Sequence, residues 1–415
     1  MRALLSRAHP VIFSAWTLCA AFFAYFCMYG FRKPFAVGTF DGELWGVDLK
    51  ILLIVGQMLG YCLSKFIGIK VVSELPGARR GLAIAALIGT AQLALVVFAV
   101  VPEGLKPAAM FLNGMPLGMI WGLVFGFLEG RKVSDFLGAG LCASFIVASG
   151  FVKTVGKWLL DGGVPEVWMP AASGAIFLLP MALFTWMLAQ VPPPSADDEA
   201  ARTKRAPMDG PARRAFVARY AGGIVAVVAA YIVLTAYRDF RDNFAREIWD
   251  AVGYSEKPEI MTTSELPIAF ASLVAIALIV AVKKNRLAVL AVHGLMVAGA
   301  LLVLATTWLY TEGHLGPAPW MISVGLGLYL AYVPFNCVLF DRLVAAGGSV
   351  ATAGFMIYVA DAFGYLGSVG LLLYKNFGEP DLSWLDFFIN FSWVMGIACA
   401  VGFGASALYF FRATR

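Results

Sequence analysis

The 415-residue sequence has little charge: 14% of its residues are Asp, Glu, Lys or Arg, whereas 60% are apolar. Soluble domains carry about 25% charged residues, and a soluble protein this apolar would expose large hydrophobic patches. The apolar residues recur in stretches of about twenty, the length that crosses a bilayer as a helix. The composition therefore excludes a soluble enzyme, a secreted disulfide scaffold, a disordered chain and a nucleic-acid-binding protein. The net charge of +5 is too small to indicate a polyanionic partner.

Cysteine is also scarce, and its placement argues against cysteine chemistry. The six cysteines lie inside apolar stretches and form neither a CxxC pair nor a Cys/His cluster, which predicts free, packed thiols and no metal site. No P-loop, zinc-protease or nucleophile-elbow motif occurs. The sequence therefore predicts a protein that is not an enzyme, with no cofactor and no metal.

Twelve apolar stretches are long enough to span a membrane, and they fall into two sets of six. The predicted spans are 11–37, 49–68, 81–101, 108–128, 137–158, 169–190, 216–238, 263–282, 287–310, 318–340, 349–374 and 386–411. Residues 191–215 start with consecutive prolines and carry mixed charge, as in a flexible linker. We therefore predict an all-α polytopic membrane protein with an N-terminal six-helix bundle (1–190), a cytoplasmic linker (191–215) and a C-terminal six-helix bundle (216–415).

Basic residues in the loops predict the orientation. With the N-terminus in the cytoplasm, the cytoplasmic loops hold more Lys and Arg than the outer loops, as the positive-inside rule requires. The linker contributes most of this excess, with Arg202, Lys204, Arg205, Arg213 and Arg214. We expect both termini on the cytoplasmic side of a plasma membrane, the inner membrane of a bacterium.

The two halves repeat one another. Ala24-Tyr25 and Arg32 recur at one constant offset as Ala230-Tyr231 and Arg238. A parallel repeat implies a pseudo-two-fold axis along the membrane normal. The sequence therefore predicts two pseudo-symmetric bundles.

The repeated arginines are candidates for an anion-binding site. Under the pseudo-two-fold axis, Arg32 and Arg238 would face each other across a cavity and offer two guanidinium forks to a phosphate or carboxylate. The alternative is that both side chains snorkel outward to the lipid headgroups. Each arginine ends a polar-aromatic stripe on one helical face, after Tyr25 and Tyr29 in one half and Tyr231 in the other. This pattern favours the cavity.

Four motifs carry a resemblance to a known family. They are Tyr29-Gly30-Phe31-Arg32-Lys33-Pro34-Phe35-Ala36 in the first span, Tyr61-Cys62-Leu63-Ser64-Lys65-Phe66-Ile67 in the second, Gly114, Gly118, Met119 and Trp121 in the fourth, and Phe363-Gly364-Tyr365-Leu366-Gly367 in the eleventh. With them the sequence resembles the major facilitator superfamily, and within it the organophosphate:phosphate antiporter branch, which includes glycerol-3-phosphate transporters. The resemblance implies alternating access around a central site. It also implies that Arg32 and Arg238 bind a substrate phosphate, with Lys33 and Lys65 nearby.

The sequence departs from the family pattern in the fifth span, where the family has a histidine that contributes to the site. The stretch Ser149–Lys153 stands in its place. Lys153 is predicted to replace the histidine as a cationic substrate ligand, with simple snorkelling as the alternative. The loop 68–80 likewise carries only a degenerate version of the family's basic motif.

Other charges inside the predicted spans need an explanation, because a charge at the centre of a membrane helix costs at least ~2.5–3.5 kcal/mol. Asp361 shares a helical face with Tyr358 and Tyr365, and we weigh two roles for it. It either carries a proton or forms a structural ion pair with a basic residue of the cavity. Lys65 is predicted to line the cavity.

Acidic residues at the ends of spans are candidates for gates. On the cytoplasmic side, Glu129 stands close to Arg131 and Asp341 next to Arg342. These neighbours predict ion pairs between helices that hold a gate rather than ligands of the substrate.

On the outer side, Asp239 and Asp242 are candidates for an outer gate. They could pair with Arg241, or with the basic residues Arg32 and Lys33 that end the first span.

The predicted function is secondary active transport of a small anionic solute, a phosphate ester or inorganic phosphate, by antiport or proton coupling. Its partners would be this solute and the lipid bilayer, and the protein would be a monomer that binds no nucleic acid. One alternative is a proton-coupled carrier of a zwitterionic, sugar or cationic solute, since the acidic residues nearly balance the basic ones. Another is a membrane sensor on a transporter fold that does not transport.

Overall fold

The computed structural model of the protein describes residues 1–129, 131, 133–195, 198, 210–340, 342–343 and 354–413. Within these residues, eleven helices are long and apolar enough to cross a membrane. The helix Gly354–Phe377 stands where the eleventh span is predicted, and the start of that span lies outside the described residues. The predicted all-α, polytopic membrane fold is confirmed.

The chain divides into two compact units. Unit 1 comprises Met1–Ala201, Asp242–Thr263 and Leu372–Pro380, and unit 2 comprises Arg202–Arg241, Ser264–Leu371 and Asp381–Arg415. Two segments from the second half of the sequence thus pack in unit 1. The predicted domain boundaries at 190 and 215 divide the chain into continuous stretches of sequence, and they stay a prediction.

Unit 1 contains most of the helices of the first half. They are α1 (Pro10–Tyr29), α2 (Leu49–Glu74), α3 (Arg80–Val100), α4 (Lys106–Leu117), α5 (Ile120–Leu128), α6 (Ser134–Asp161) and α7 (Met169–Ala189), with the short helices Arg2–Leu5, Ala245–Ala251 and Ile260–Thr263. A two-stranded hairpin, β1 (Glu43–Leu44) and β2 (Val47–Asp48), precedes α2.

The first helix is shorter than its apolar pattern predicts. The span 11–37 predicts one continuous helix, but α1 ends at Tyr29. The amides of Arg32 and Lys33 both bond to the Tyr29 carbonyl in a tight turn, and a 3-10 helix follows over Pro34–Val37. Pro34 has no amide hydrogen and cannot continue the α-helical ladder, which explains the break. Arg32 therefore lies in a turn and not on the helical stripe of Tyr25 and Tyr29.

The helices α2 and α4 touch backbone to backbone. A methyl group on Gly60 of α2 would overlap the Phe111 carbonyl of α4, and one on Gly114 of α4 would overlap the Gln57 carbonyl of α2. Small residues spaced four apart allow this close approach between membrane helices. The contact brings polar side chains of the two helices within hydrogen-bonding distance.

Unit 2 contains α8 (Ala221–Asn243, to Arg241), α9 (Glu265–Val280), α10 (Asn285–Thr311), α11 (Pro317–Pro334), α12 (Gly354–Phe377, to Leu371) and α13 (Trp384–Ala413), with the helix Gly210–Arg219 ahead of them. A π-helix over Phe335–Leu339 follows α11 directly. Such π-helical turns are rare and often lie at functional sites.

Candidate functional site

In unit 1, Arg32 is buried against an aromatic ring. Its side chain is 5% exposed, and its guanidinium carbon lies 3.9 Å from the centre of the Tyr61 ring. This is the distance of a cation–π contact. The burial argues against snorkelling for Arg32.

A second cation contacts the same ring. The Lys65 ammonium nitrogen lies 5.5 Å from the centre of the Tyr61 ring. Tyr61 and Lys65 are four residues apart, so they occupy one face of α2. Tyr25 and Tyr29 of α1 are buried, and their rings meet edge to face at 5.7 Å. We call Arg32, Tyr61 and Lys65 the cationic cluster.

Lys33 and Lys153 converge on one carboxylate in unit 1. Lys33 forms an ion pair with Asp242, and the Lys153 nitrogen lies 2.7 Å from Asp242 Oδ1. The Ser149 hydroxyl donates to the same carboxylate. The two lysines are 3% and 4% exposed, so the pairing with Asp242, and not snorkelling, accounts for the position of Lys153.

Unit 2 places Arg238 beside its neighbour in sequence. The Arg238 Nη2 lies 2.6 Å from Asp239 Oδ1, and the Ser368 hydroxyl donates to the other oxygen of Asp239 at 2.8 Å. The guanidinium carbon of Arg238 lies 4.3 Å from the centre of the Tyr332 ring and 6.0 Å from that of Tyr365. Asp239 thus pairs with Arg238, a partner that the sequence analysis had not considered for it.

Asp361 is buried in unit 2 with a tyrosine. The Tyr231 hydroxyl donates to Asp361 Oδ1 at 2.6 Å. The Asn336 amide donates to the Tyr231 oxygen at 3.1 Å, and the Tyr231 ring stacks on Phe335 with centres 3.7 Å apart. Both Asn336 and Phe335 belong to the π-helix, so this irregular turn supports the Tyr231–Asp361 pair.

At the first predicted cytoplasmic gate, the described residues form no ion pair with Glu129. The Glu129 side chain is exposed to solvent, and no ion pair or hydrogen bond joins it to another described residue. Arg131 instead donates to the carbonyls of Phe127 and Pro192. An exposed carboxylate gains little from an ion pair that fixes two long side chains, and the gating role of Glu129 stays a prediction.

On the second predicted gate, Arg342 donates to Asn285 Oδ1 at 3.0 Å and to the Val280 carbonyl at 3.3 Å. Asp341 lies outside the described residues. Tyr358 belongs to α12, but its side chain is also outside what the structure describes. Their predicted roles stay predictions.

Burial shifts two pKa values at the edges of unit 1. Burial raises the pKa of Asp48, although hydrogen bonds from the α2 backbone and the charge of Lys50 oppose the shift. Burial lowers the pKa of Arg131, although Asp198 opposes that shift.

Across the described residues, no group of three His, Cys, Asp or Glu side chains is placed to hold a metal ion.

Sequence analysis missed two buried amides beside Arg32. Gln57 Nε2 donates to the Arg32 carbonyl at 3.0 Å and to Asn113 Oδ1 at 2.8 Å. Asn113 Nδ2 donates to the carbonyls of Phe31 and Ala91, both at 3.1 Å. The available signal was a polar amide next to glycine in two apolar spans, Gly56-Gln57 and Asn113-Gly114.

Comparison with solved structures identifies the fold. A crystal structure titled D-xylose-proton symporter is similar with a TM-score of 0.64 and 14% identity over 97% of each chain. The nucleoside transporter NupG is similar with a TM-score of 0.58 and 15% identity over 95% of this chain and 98% of that one. At these identities the similarity shows the fold alone, and the predicted major facilitator fold is confirmed.

A family model also matches the sequence. No curated protein matches the chain. The model of DUF5690, described as a family of unknown function, matches residues 34–413.

Proposed function

The chain belongs to the DUF5690 family, and we propose that it is a secondary active transporter of a small anionic solute, in the first place a phosphate ester or inorganic phosphate. It would work by alternating access, as antiporter or proton-coupled carrier. Its place would be the inner membrane of a bacterium, with both termini in the cytoplasm.

The observation that carries the proposal is the cationic cluster. Arg32 and Lys65 both contact Tyr61 inside unit 1. Charges within a membrane protein cost insertion free energy and mark pathways for ions or substrates. A guanidinium fork and an ammonium group at one aromatic ring suit a phosphate or carboxylate, because each supplies charge-assisted hydrogen bonds.

The Lys33–Asp242–Lys153 group supports an anionic substrate in a second way. Two ammonium groups share one carboxylate, so the group keeps one positive charge. In unit 1 this charge adds to the field of the cationic cluster. We assign the group to the outer gate rather than to direct contact with the substrate, because both lysines already bond to Asp242.

A second candidate is a proton-coupled carrier of a sugar or zwitterion. It is favoured by unit 2, where Asp239 already neutralises Arg238 and Asp361 is buried against Tyr231. One solved structure with this fold is that of a D-xylose-proton symporter. Under this candidate, Asp361 takes up the coupling proton.

Uptake into proteoliposomes separates the two candidates. The purified chain is reconstituted and offered labelled phosphate, phosphate esters, carboxylates, D-xylose and nucleosides, with and without an imposed pH gradient. We expect saturable uptake or exchange of an anion, and a half-saturation concentration at least about tenfold higher in Arg32→Gln, because a hydrogen bond to a charged group contributes about 1.5–3 kcal/mol.

Arg219→Gln is the matched control. Arg219 also contacts a tyrosine ring, with its guanidinium carbon 5.3 Å from the centre of Tyr220, but it is exposed. Anion uptake should be the same in this variant as in the wild type. Uptake of D-xylose or nucleosides only, driven by the pH gradient, would replace the first candidate with the second.

A further inference from the structure

Two carbonyl groups in the turn that carries Arg32 accept hydrogen bonds from side chains. The α-helix ends at Tyr29, so the Phe31 and Arg32 carbonyls lie beyond α1. Buried carbonyls of this kind must be satisfied by side chains or water. Both accept hydrogen bonds from the two amides described above.

The two amides form a connected pair. Gln57 bonds to the Arg32 carbonyl and to Asn113, and Asn113 bonds to the Phe31 and Ala91 carbonyls. Each NH2 group therefore uses both of its hydrogens. Gln57 is 4% exposed and Asn113 is fully buried, so water does not compete for these bonds. The pair ties the turn after α1 to α2, α4 and α3.

The same face of α2 also contacts the Arg32 side chain. Gln57, Tyr61 and Lys65 are spaced four residues apart and form one stripe along α2. Gln57 holds the backbone of Arg32, and Tyr61 lies under its guanidinium group. The helix α2 thus contacts both the backbone carbonyl and the guanidinium group of Arg32. The close contact of α2 and α4 at Gly60 and Gly114 sets the distance between α2 and Asn113.

We infer that Gln57 and Asn113 are positioning residues for Arg32. They do not contact the solute, and they fix the guanidinium of Arg32 where the anion binds. The inference rests on the proposed function for its link to transport. Because small displacements of a binding group can cost large factors in rate or affinity, about 10²-fold for 1 Å in enzymes, loosening the turn should weaken anion binding.

The first experiment compares leucine variants in proteoliposomes. We expect Gln57→Leu and Asn113→Leu to raise the half-saturation concentration for the transported anion about tenfold, with a smaller change in maximal rate. Gln92→Leu is the matched control, since Gln92 also ties two helices of unit 1, through a 2.9 Å hydrogen bond to the Ala171 carbonyl, and not through the Phe31 or Arg32 carbonyl. Thermal melting of all three variants shows how much stability each has lost.

A double variant distinguishes positioning from general damage. If Gln57 acts through Arg32, adding Gln57→Leu to Arg32→Gln should raise the half-saturation concentration no further. Independent, additive effects of the two substitutions would overturn the inference. So would an unchanged half-saturation concentration in both Gln57→Leu and Asn113→Leu.

A readout without substrate keeps the inference testable if the proposed function fails. Phenylglyoxal modifies accessible guanidinium groups, and mass spectrometry measures its reaction at Arg32. The reaction at Arg32 should be several-fold faster in Gln57→Leu and Asn113→Leu than in the wild type and Gln92→Leu, at temperatures below melting. Equal rates in all four proteins would show that the amides do not position Arg32, whatever the protein transports.

Discussion

The guanidinium carbon of Arg32 lies 3.9 Å from the centre of the Tyr61 ring, inside unit 1. A cation–π contact that is shielded from water contributes about 2 kcal/mol or more of favourable interaction free energy. The ring also supports the Lys65 ammonium group from the same helix. Tyr61 therefore lies at the centre of the candidate site, although it cannot itself neutralise an anion.

This contact predicts a difference between two substitutions of Tyr61. Tyr61→Phe keeps the aromatic face and should change the dissociation constant for the anion less than about threefold. Tyr61→Leu removes the face and should weaken binding about tenfold, because the contact contributes about 1–2 kcal/mol. Equilibrium binding of labelled anion to the detergent-solubilised protein measures both. Equal losses in the two variants would show that the hydroxyl, not the ring face, matters.

The shared carboxylate of Asp242 predicts an unequal response among three residues. Asp242→Asn removes the negative charge that two buried ammonium groups share and should lower the free energy of unfolding by about 3–5 kcal/mol, as when one partner of a buried ion pair is removed. Lys33→Met leaves the Lys153–Asp242 pair and should cost much less. Thermal melting in one detergent compares the variants.

The double variant Asp242→Asn/Lys33→Met provides the check on this prediction. It removes one charge of each sign and should melt above Asp242→Asn alone. A double variant that is as unstable as the two single losses added together would show that the three groups do not interact.

Much of the fold follows from the sequence, because hydropathy alone determines which stretches cross a bilayer. The ends of helices are harder to predict. The span 11–37 is apolar throughout, and only the local effect of Pro34 and the two buried amides ends α1 at Tyr29. The predicted stripe of Tyr25, Tyr29 and Arg32 assumed one continuous helix, whereas the helix ends at Tyr29, before Arg32.

The candidate site was predicted only in part. Motifs pointed to Arg32 and Lys65, which do meet at one ring. The sequence offered Lys33 as a partner for Asp242, and the two side chains do form an ion pair. No pattern in the sequence showed that Asp239 would pair with its neighbour Arg238, or that Lys153 would join Asp242. Such pairings depend on how helices pack, and a single sequence taken by itself holds no record of contacts across long separations.

Substitution of Asp361 should separate solute exchange from proton coupling. Asp361→Asn removes the titrating group, and Tyr231→Phe removes the hydroxyl that donates to it at 2.6 Å. If Asp361 carries the coupling proton, Asp361→Asn should abolish accumulation driven by a pH gradient and preserve exchange of labelled for unlabelled solute at equal pH. Loss of both activities would identify Asp361 as a structural or substrate-binding group instead.

Asp48 predicts a pH dependence of stability. Burial raises its pKa in the folded protein, so the folded state holds the proton more tightly than the unfolded state. Its contribution to stability is therefore greatest at acidic pH, below its usual pKa, and falls as the pH rises through the raised pKa. Asp48→Asn removes the titrating group and therefore the decrease in stability at higher pH. Asparagine caps a helix as well as aspartate does.

We expect Asp48→Asn to melt at or above the wild-type temperature at pH 7 and to lose this advantage near pH 4. Asp41→Asn is the control, because it removes the same charge from an exposed side chain of the loop that precedes α2. An Asp48→Asn protein that melts lower than the wild type at pH 7 would show that the carboxylate contributes more as a charged cap than it costs by burial.

The central claim is that Arg32 binds the anionic group of the transported solute. Equilibrium binding of labelled phosphate and phosphate esters to the wild type, Arg32→Gln and Arg219→Gln tests it most directly. The account predicts saturable binding that Arg219→Gln retains and Arg32→Gln loses by about tenfold or more. Equal affinity in all three proteins, or no binding of any anion to the wild type, would contradict it.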